Sequence, residues 1–194
     1  MTLSLPLAVT MGEPAGIGGE LSLKAWLARK PDDRPFFVLD DVDRLKALAR
    51  DLGLDVPIRE IAGPAEAGKV FGAALPVLSI KLRTAVTPGQ PTPVNAAATL
   101  EAIERAAALA LSGAIAGLVT NPIQKKTLQE AGFRHPGHTE FLAELASTAA
   151  GKPVEVAMML ACPALRVVPV TIHLALAEAV HALEVDEQHR IDGF

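Results

Sequence analysis

The sequence has one cysteine and no tyrosine, and each scarcity excludes a class of protein. Cys162 has no second cysteine to pair with, so the chain can form neither an internal disulfide nor a cysteine-based zinc site. Because Cys162 ends the apolar run 156–162, we expect a buried and unreactive thiol. Aromatic residues make up 4% of the chain, which leaves few rings on which single-stranded nucleic acid could stack.

Positive charge and long hydrophobic runs are also lacking. The 18 Lys and Arg are outnumbered by 22 Asp and Glu, and the formal net charge of −4 argues against binding to a nucleic-acid backbone. No uninterrupted apolar stretch reaches the roughly 18 residues of a membrane span, and the N-terminus lacks the basic region of a signal peptide. We therefore expect no nucleic-acid or membrane partner and a cytoplasmic location.

Short apolar strands alternate with alanine-rich helices along the chain. Strands are predicted at 5–11, 35–39, 56–61 and 114–120, and helices at 18–29, from Asp40 or Asp41 to about 52, at 94–111, from Asn121–Pro122 to Gly132, and from His138 or Thr139 onward. Residues 63–93 contain much Pro and Gly and are not assigned. Repeated strand–helix–strand units predict an α/β fold with a mostly parallel sheet and helices on both faces.

The C-terminal part is predicted to continue this pattern without completing it. Two apolar runs, 154–162 and 165–172, precede a last helix from about residue 174. The polar stretch 184–194 provides no closing strand. We therefore expect residues 1–194 to form one α/β unit that is incomplete at the C-terminus.

Two segments at predicted strand ends contain groups that could bind an anion. The glycine-rich segment 10–20 has neither dinucleotide-fingerprint nor P-loop spacing, so a tight structural turn and an anion site both remain open. In the segment 120–126, Lys125 or Lys126 could bind a phosphate or carboxylate, because ligands bind at the carboxyl ends of strands in open α/β sheets. The alternative is two solvated lysines on an exposed helix.

Histidines mark two further candidate sites. The segment 135–140 places His138 and Thr139 where a loop enters a helix, although Thr139 could instead be the helix N-cap. His173 follows the predicted strand 165–172, where a neutral imidazole suits a divalent metal ion. A single histidine is not a metal site, so a structural role for His173 stays open.

These segments, taken in order, resemble the 4-hydroxythreonine-4-phosphate dehydrogenase family of vitamin B6 biosynthesis. The resemblance rests on residues 11–18, on Asn121–Pro122 with Lys125, on 136–144, and on 158–161 followed by 165–167 and 171–174. It implies a fold similar to those of isocitrate and isopropylmalate dehydrogenases, with two α/β domains of which this chain covers the N-terminal portion. The C-terminal portion would be absent.

The resemblance implies NAD-dependent oxidation of 4-phosphooxy-L-threonine followed by decarboxylation, with NADP as the alternative cofactor. It also implies a divalent metal ion (Zn, Mg or Co) and a homodimer that shares its active site. His138 and Thr139 match the family's substrate-binding pair, and Lys125 is the predicted cation for the small phosphorylated substrate. His173 matches the first of three metal-binding histidines, and the other two lie in segments absent here. Catalytic and cofactor-binding residues are not assigned, and the 194-residue chain alone is expected to be inactive.

Four departures from the family pattern leave alternatives open. Glu13 stands where Asp is usual, Gly19 where Pro is usual, Asn121 where a small residue is usual, and Gln124 where His or Asn is usual. Because positions 121 and 124 are expected to flank the substrate cleft, a phosphorylated sugar acid (4-phospho-threonate or 4-phospho-erythronate) is an alternative substrate. A second alternative is an inactive fragment that keeps part of the site, and a third is an acyl-phosphate transferase on a related fold.

Overall fold

The computed structural model describes residues 5–169, 171, 175, 177 and 178. The chain divides into two compact units, Met1–Val154 and Glu155–Phe194. No helix among the described residues is long and apolar enough to cross a membrane.

The first unit alternates strands and helices along the chain. Its strands are β1 (Leu7–Thr10), β2 (Phe36–Asp40), β3 (Ile58–Glu60), β4 (Leu75–Ser79) and β5 (Gly117–Val119). Its helices are α1 (Gly18–Leu27), α2 (Val42–Asp51), α3 (Pro64–Val70), α4 (Ala96–Leu111), α5 (Lys125–Glu130) and α6 (His138–Ala150), with a short 3₁₀ turn at Pro93–Asn95.

Within the described part of this unit, the strands form one parallel sheet in the order β3-β4-β2-β1-β5. From β1 the chain passes to β2 on one side, and it later returns from β4 to β5 on the other side. The order therefore reverses between β1 and β5, and ligands bind at the carboxyl ends of strands at such a point in open α/β sheets.

Helices cover both faces of the sheet, as the sequence predicts. Phe37 and Leu39 point to the face covered by α3 and α4, whereas Val38 points to the face covered by α1 and α2. Strands buried on both faces read as continuous apolar runs, which is the pattern of β2. On α4, the alanines Ala98, Ala102 and Ala106 pack toward the sheet. Ile103 packs away from the sheet, in a separate apolar cluster that also contains Ala96, Leu128, Phe133 and Phe141. We call it the third cluster, after the clusters on the two faces of the sheet.

Two parts of the first unit differ from the sequence prediction. The unassigned stretch 63–93 contains α3 and the inner strand β4. Pro76 obscures β4 in the sequence, but it lies before the register with β2 begins at Val38↔Val77. The helix predicted to start at Asn121–Pro122 begins instead at Lys125, with Gln124 as its N-cap.

The second unit contains an antiparallel hairpin of β6 (Leu160–Cys162) and β7 (Leu165–Val167). The prediction of a buried Cys162 is wrong, because Cys162 is exposed. Its neighbours Met158 and Leu160 are also exposed, at 48% and 61%. An apolar run shows which side chains would gain free energy from burial, but it does not show whether another surface covers them. Burial of Cys162 therefore could not be inferred from the run 154–162. The predicted single unit over 1–194 stays a prediction.

Candidate functional site

The segments that follow β1 and β5 meet at the carboxyl edge of the sheet. The two strands are neighbours in parallel register, with Val9 opposite Val119. Beyond them, the backbone N–H of Glu13 donates to the Pro122 carbonyl oxygen over 2.8 Å. The fold therefore joins the glycine-rich segment to the segment that leads to Lys125.

Asn121 holds this junction together from inside the protein. Its side chain is buried, and Nδ2 lies 2.9 Å from the Thr10 carbonyl oxygen, 3.2 Å from that of Gly18 and 3.1 Å from Ser22 Oγ. The Asn121 backbone N–H donates to Thr10 Oγ1 over 3.3 Å. Because the protein itself accepts from its amide group, Asn121 gives no reason to doubt the substrate class.

Gly12 and Gly18 pack directly against this segment. Gly12 has a φ of +69°, and a Cβ there would lie 2.6 Å from the Pro122 oxygen and 2.9 Å from Asn121 Cβ. A Cβ on Gly18 would overlap the Met11 carbonyl oxygen and lie 3.0 Å from Asn121 Cβ. These contacts favour the structural interpretation of both glycines over the anion-site interpretation.

Arg44 on α2 occupies the space beside Gly19. A Cβ on Gly19 would lie 2.8 Å from Leu48 Cδ2 and 2.9 Å from Arg44 Nη1, so a larger residue at 19 would displace the guanidinium. Arg44 Nη1 donates to both carboxylate oxygens of Asp40 over 2.9 and 2.7 Å, and Nη2 donates to the Pro14 carbonyl oxygen over 2.8 Å. Burial raises the pKa of the Asp40 carboxyl, and the Arg44 charge opposes that shift.

Asp41 is the N-cap of α2, which confirms one of the two predicted caps. Its Oδ1 accepts from the backbone N–H groups of Asp43 and Arg44, and its Oδ2 accepts from that of Leu82. A carboxylate after the second strand binds the ribose in Rossmann folds. Here the Asp41 carboxylate is engaged by the backbone instead.

A cavity of about 790 Å³ opens at the same edge, between segment 14–17, α2 and segment 82–89. The Gly89 N–H donates to the Ala15 carbonyl oxygen over 2.8 Å and joins two of its walls. Its apolar lining consists of Pro14, Ala15, Gly16, Ile17, Ala47, Leu48, Leu52, Leu82, Ala85, Val86, Pro88 and Gly89. The rest of its lining is polar or charged and consists of Glu20, Asp41, Asp43, Arg44, Asp51, Arg83 and Thr84. Its size falls in the range of small-molecule and cofactor sites.

Lys125 lies at the start of α5 with its side chain exposed. Within residues 5–169 it forms no ion pair, whereas Lys126 Nζ lies 3.9 Å from Glu130 on the same helix. The following turn is anchored by Thr127, whose hydroxyl lies 3.1 Å from Glu13 Oε2. Lys125 is therefore placed at the carboxyl side of β5 with its charge available to an anion.

His138 and Thr139 occupy the first turn of α6. Gly137 is the N-cap and provides no side-chain cap, so the alternative that Thr139 caps the helix is wrong. His138 is half-buried, and its Nε2 is enclosed without a hydrogen-bond partner. Burial lowers the pKa of the His138 imidazole and favours the neutral ring. A neutral imidazole with an unpaired nitrogen can bond to a ligand hydroxyl or amino group.

The third cluster packs the helices of both predicted substrate groups together. Leu128 on α5, Ile103 on α4 and Phe141 on α6 are buried in it, as is Phe133 in the connecting segment. Lys125 and His138 are thus carried on helices that share one apolar cluster.

The predicted metal ligand His173 lies outside the described residues, as do His181 and His189. Among the described residues, no group of three or more His, Cys, Asp or Glu side chains could hold a metal ion. The described part of the chain therefore does not fit a metal site by itself.

Sequence patterns missed three residues that shape this edge. Asn121 and Arg44 act through contacts with segments far away in the sequence, which periodicity does not report, whereas His135 contacts Glu144 nine residues further along. The sequence offers one indication that His135 has a packing role. Two phenylalanines, Phe133 and Phe141, lie close enough in the sequence for ring contacts with it.

Solved structures with the same fold are dehydrogenases. The 4-hydroxythreonine-4-phosphate dehydrogenase of Klebsiella pneumoniae superposes with a TM-score of 0.79 at 31% identity, over 93% of this chain and 55% of that one. Its counterpart from Burkholderia phymatum gives 0.78 at 32% identity, over 92% and 53%. These matches confirm the predicted fold class, which isocitrate and isopropylmalate dehydrogenases share.

Sequence comparison agrees with the structural comparison. The 4-hydroxythreonine-4-phosphate dehydrogenase of Caulobacter vibrioides is 47% identical over 187 residues, covering 94% of this chain and 54% of that protein. The same enzyme from Methylorubrum populi is 48% identical over 174 residues, covering 88% and 50%. The chain spans about half the length of the curated relatives it matches. A family model, pyridoxal phosphate biosynthetic protein PdxA, matches residues 32–191, and the chain belongs to this family.

Proposed function

We propose that this chain supplies the N-terminal part of an NAD-dependent 4-hydroxythreonine-4-phosphate dehydrogenase. The reaction is the oxidation and decarboxylation of 4-phosphooxy-L-threonine in pyridoxal phosphate biosynthesis. Relatives of that name at 47–48% identity support the assignment. The observation that carries it for this chain is the unpaired, enclosed Nε2 of His138 beside Thr139 at the start of α6.

Three side chains of this chain have roles in the proposal. Lys125 attracts the anionic substrate, because its ammonium group is exposed and forms no ion pair among the described residues. His138, whose pKa burial lowers, bonds to a polar group of the substrate through Nε2 once the side chains that enclose this atom have moved apart. The exposed Thr139 hydroxyl adds a second donor or acceptor in the same turn. Together they orient the substrate for hydride transfer.

A bound nicotinamide would supply the hydride acceptor for the alcohol carbon, with the hydroxyl proton released to solvent. The product of that oxidation is a β-keto acid, which would lose CO₂ by cleavage of the bond between the carboxyl carbon and the amino-bearing carbon, and the amino-bearing carbon would then take up a proton. We assign part of the cofactor to the cavity of about 790 Å³, because it opens at the same edge of the sheet and has apolar walls for a flat ring. NAD is the proposed cofactor and NADP the alternative.

A divalent metal ion, His173 as one of its ligands, a homodimer and a cytoplasmic location belong to the same proposal. The family resemblance supports them. The described residues contain no metal-binding group of three, so no step above depends on the ion.

Absorbance of NADH at 340 nm tests the substrate. The protein encoded by the complete gene is assayed with 4-phosphooxy-L-threonine, 4-phospho-threonate and 4-phospho-erythronate, each with Zn²⁺, Mg²⁺ or Co²⁺. We expect the highest kcat/KM with 4-phosphooxy-L-threonine. A higher value with either sugar acid would assign the chain to that substrate instead.

Two lysine variants test the anion-binding role. Lys125→Ala should raise KM for the substrate about tenfold or more, because a charge contact to the anion is lost. Lys126→Ala is the matched control, since its ammonium group lies near Glu130 on the same exposed helix. Equal KM values for the two variants would remove Lys125 from the site.

The inactive-fragment alternative is tested on the 194-residue chain itself. If metal binding needs histidines beyond this chain, the chain should bind Zn²⁺ or Co²⁺ weakly and form no NADH. Tight metal binding together with NADH formation by this chain would show that the site is complete within 194 residues.

A further inference from the structure

His135, just before α6, packs against the rings of two buried phenylalanines, Phe133 and Phe141. Its ring centroid lies 5.1 Å from that of Phe133 and 5.1 Å from that of Phe141. The two phenylalanines also contact each other edge to face, with centroids 5.1 Å apart. Both are buried in the third cluster, at 8% and 7% exposure. We call Phe133, His135 and Phe141 the ring wedge. Their contacts pack the segment before α6 against the first turn of that helix.

His135 also contacts Glu144, which lies further along α6 than Phe141. Its Nε2 lies 3.1 Å from Glu144 Oε2, which makes an ion pair whenever the imidazole is protonated. Phe141 belongs to the first turn of the helix and Glu144 to a later turn. One side chain in the preceding segment therefore contacts two successive turns.

The first turn of α6 has no side-chain cap among the described residues. Gly137 is the N-cap and offers no side-chain oxygen to the first-turn N–H groups. The backbone bond from the Phe141 N–H to the Gly137 oxygen is long, at 3.4 Å. Helix ends without caps open most readily, and opening of this turn would displace His138 and Thr139 first.

We propose that His135 is a positioning residue for His138 and Thr139: through the ring wedge and Glu144 it holds the first turn of α6 closed in place of a capping side chain. The link to substrate binding rests on the proposed function, whereas the effect on the first turn does not. His135 itself is not assigned a contact with substrate.

Two measurements on the 194-residue chain test this role. In His135→Ala, amide hydrogen exchange at residues 141–143 should accelerate at least about tenfold, because Phe141 is the first residue of α6 whose backbone N–H is hydrogen-bonded. The pKa of the His138 imidazole, followed by NMR, should rise toward its ordinary value because the ring becomes more hydrated. His135→Phe keeps a ring in the wedge and should restore most of the protection.

Ala108→Gly is the control for a general loss of stability, since Ala108 is an exposed residue of α4. It should lower global stability without a selective effect on residues 141–143. If His135→Ala changes the exchange and the His138 titration no more than Ala108→Gly does, the positioning role is wrong. Should His135→Ala not fold, His135→Leu is judged by the same two measurements and the same criteria.

A third variant separates this proposal from the proposed function. His138→Ala in the complete gene product removes the substrate contact but leaves the ring wedge. If it keeps normal NADH formation while His135→Ala still opens the first turn, the proposed function fails for His138 and the positioning role stands.

Discussion

Gly18 shows how tightly the segments after β1 and β5 are packed. A methyl group there would overlap the Met11 carbonyl oxygen and crowd Asn121. Gly18→Ala should therefore lower the free energy of unfolding by about 1–3 kcal/mol, the usual cost of overpacking. Urea denaturation measures it. Gly72→Ala is the control, because a Cβ at Gly72 meets nothing within 4 Å, and its effect should stay within about 0.5 kcal/mol. Equal losses would contradict the packing described for Gly18.

His138 predicts a specific dependence of stability on pH. Burial lowers its pKa in the folded state, so the unfolded chain binds more protons as the pH falls below about 6.5. The contribution of His138 to stability is thus complete above the unfolded pKa and is lost as the pH falls through the folded pKa. The urea midpoint measured from pH 5 to 8 should fall less steeply toward acid in His138→Gln than in the original chain. Parallel curves would contradict the burial of this imidazole.

The role of a single residue could be predicted from the sequence only where that residue acts on its own sequence neighbours. Asp41 was predicted as a cap because a carboxylate before an apolar helix acts on its own neighbours. The structural role of Asn121 could not be predicted, because its amide group bonds to the carbonyl oxygens of Thr10 and Gly18, which come close to Asn121 only in the folded protein. His138 was identified from the family resemblance, while its enclosed Nε2 is a finding of the structure.

At the scale of elements, Arg44 on α2 forms a buried ion pair with Asp40 at the end of β2, and it also donates to the Pro14 carbonyl oxygen in the glycine-rich segment. Arg44→Met would leave the buried Asp40 carboxyl without its partner and should cost about 3–5 kcal/mol of unfolding free energy. Arg50→Met, on the exposed side of the same helix, should change stability by less than about 0.5 kcal/mol. Thermal and urea unfolding measure both.

The double variant Asp40→Asn with Arg44→Met provides the internal check. Replacing both charges removes the unpaired carboxylate, so the double variant should be more stable than Arg44→Met alone. If the double variant is the less stable of the two, the loss does not come from an unpaired buried charge.

Strands and helices can be predicted where the spacing of apolar residues matches the faces that the sheet buries, and not elsewhere. The strands β1 and β2 and the helix α4 are apolar on the faces that the sheet needs, and the sequence shows this directly. Strand β4 was missed because Pro76 weakens its strand signal. Helix α5 starts later than predicted because Asn121 and Pro122 bond to the segment after β1.

For the whole molecule, the parallel sheet and the family could both be predicted from sequence. Alternating units require a covered parallel sheet, and ordered motifs identify the family that the comparisons confirm. The exposure of the β6–β7 hairpin could not be predicted, since burial depends on surfaces that an apolar run does not encode. The relatives are about twice as long as this chain, which spans about half of their length.

The proposed contact between His138 and the substrate is tested most directly by NADH formation. The complete gene product is assayed with 4-phosphooxy-L-threonine, and the original protein is compared with His138→Ala. We expect kcat/KM to fall about 100-fold or more in His138→Ala. A His138→Ala variant whose kcat/KM stays within about twofold of the original would contradict it.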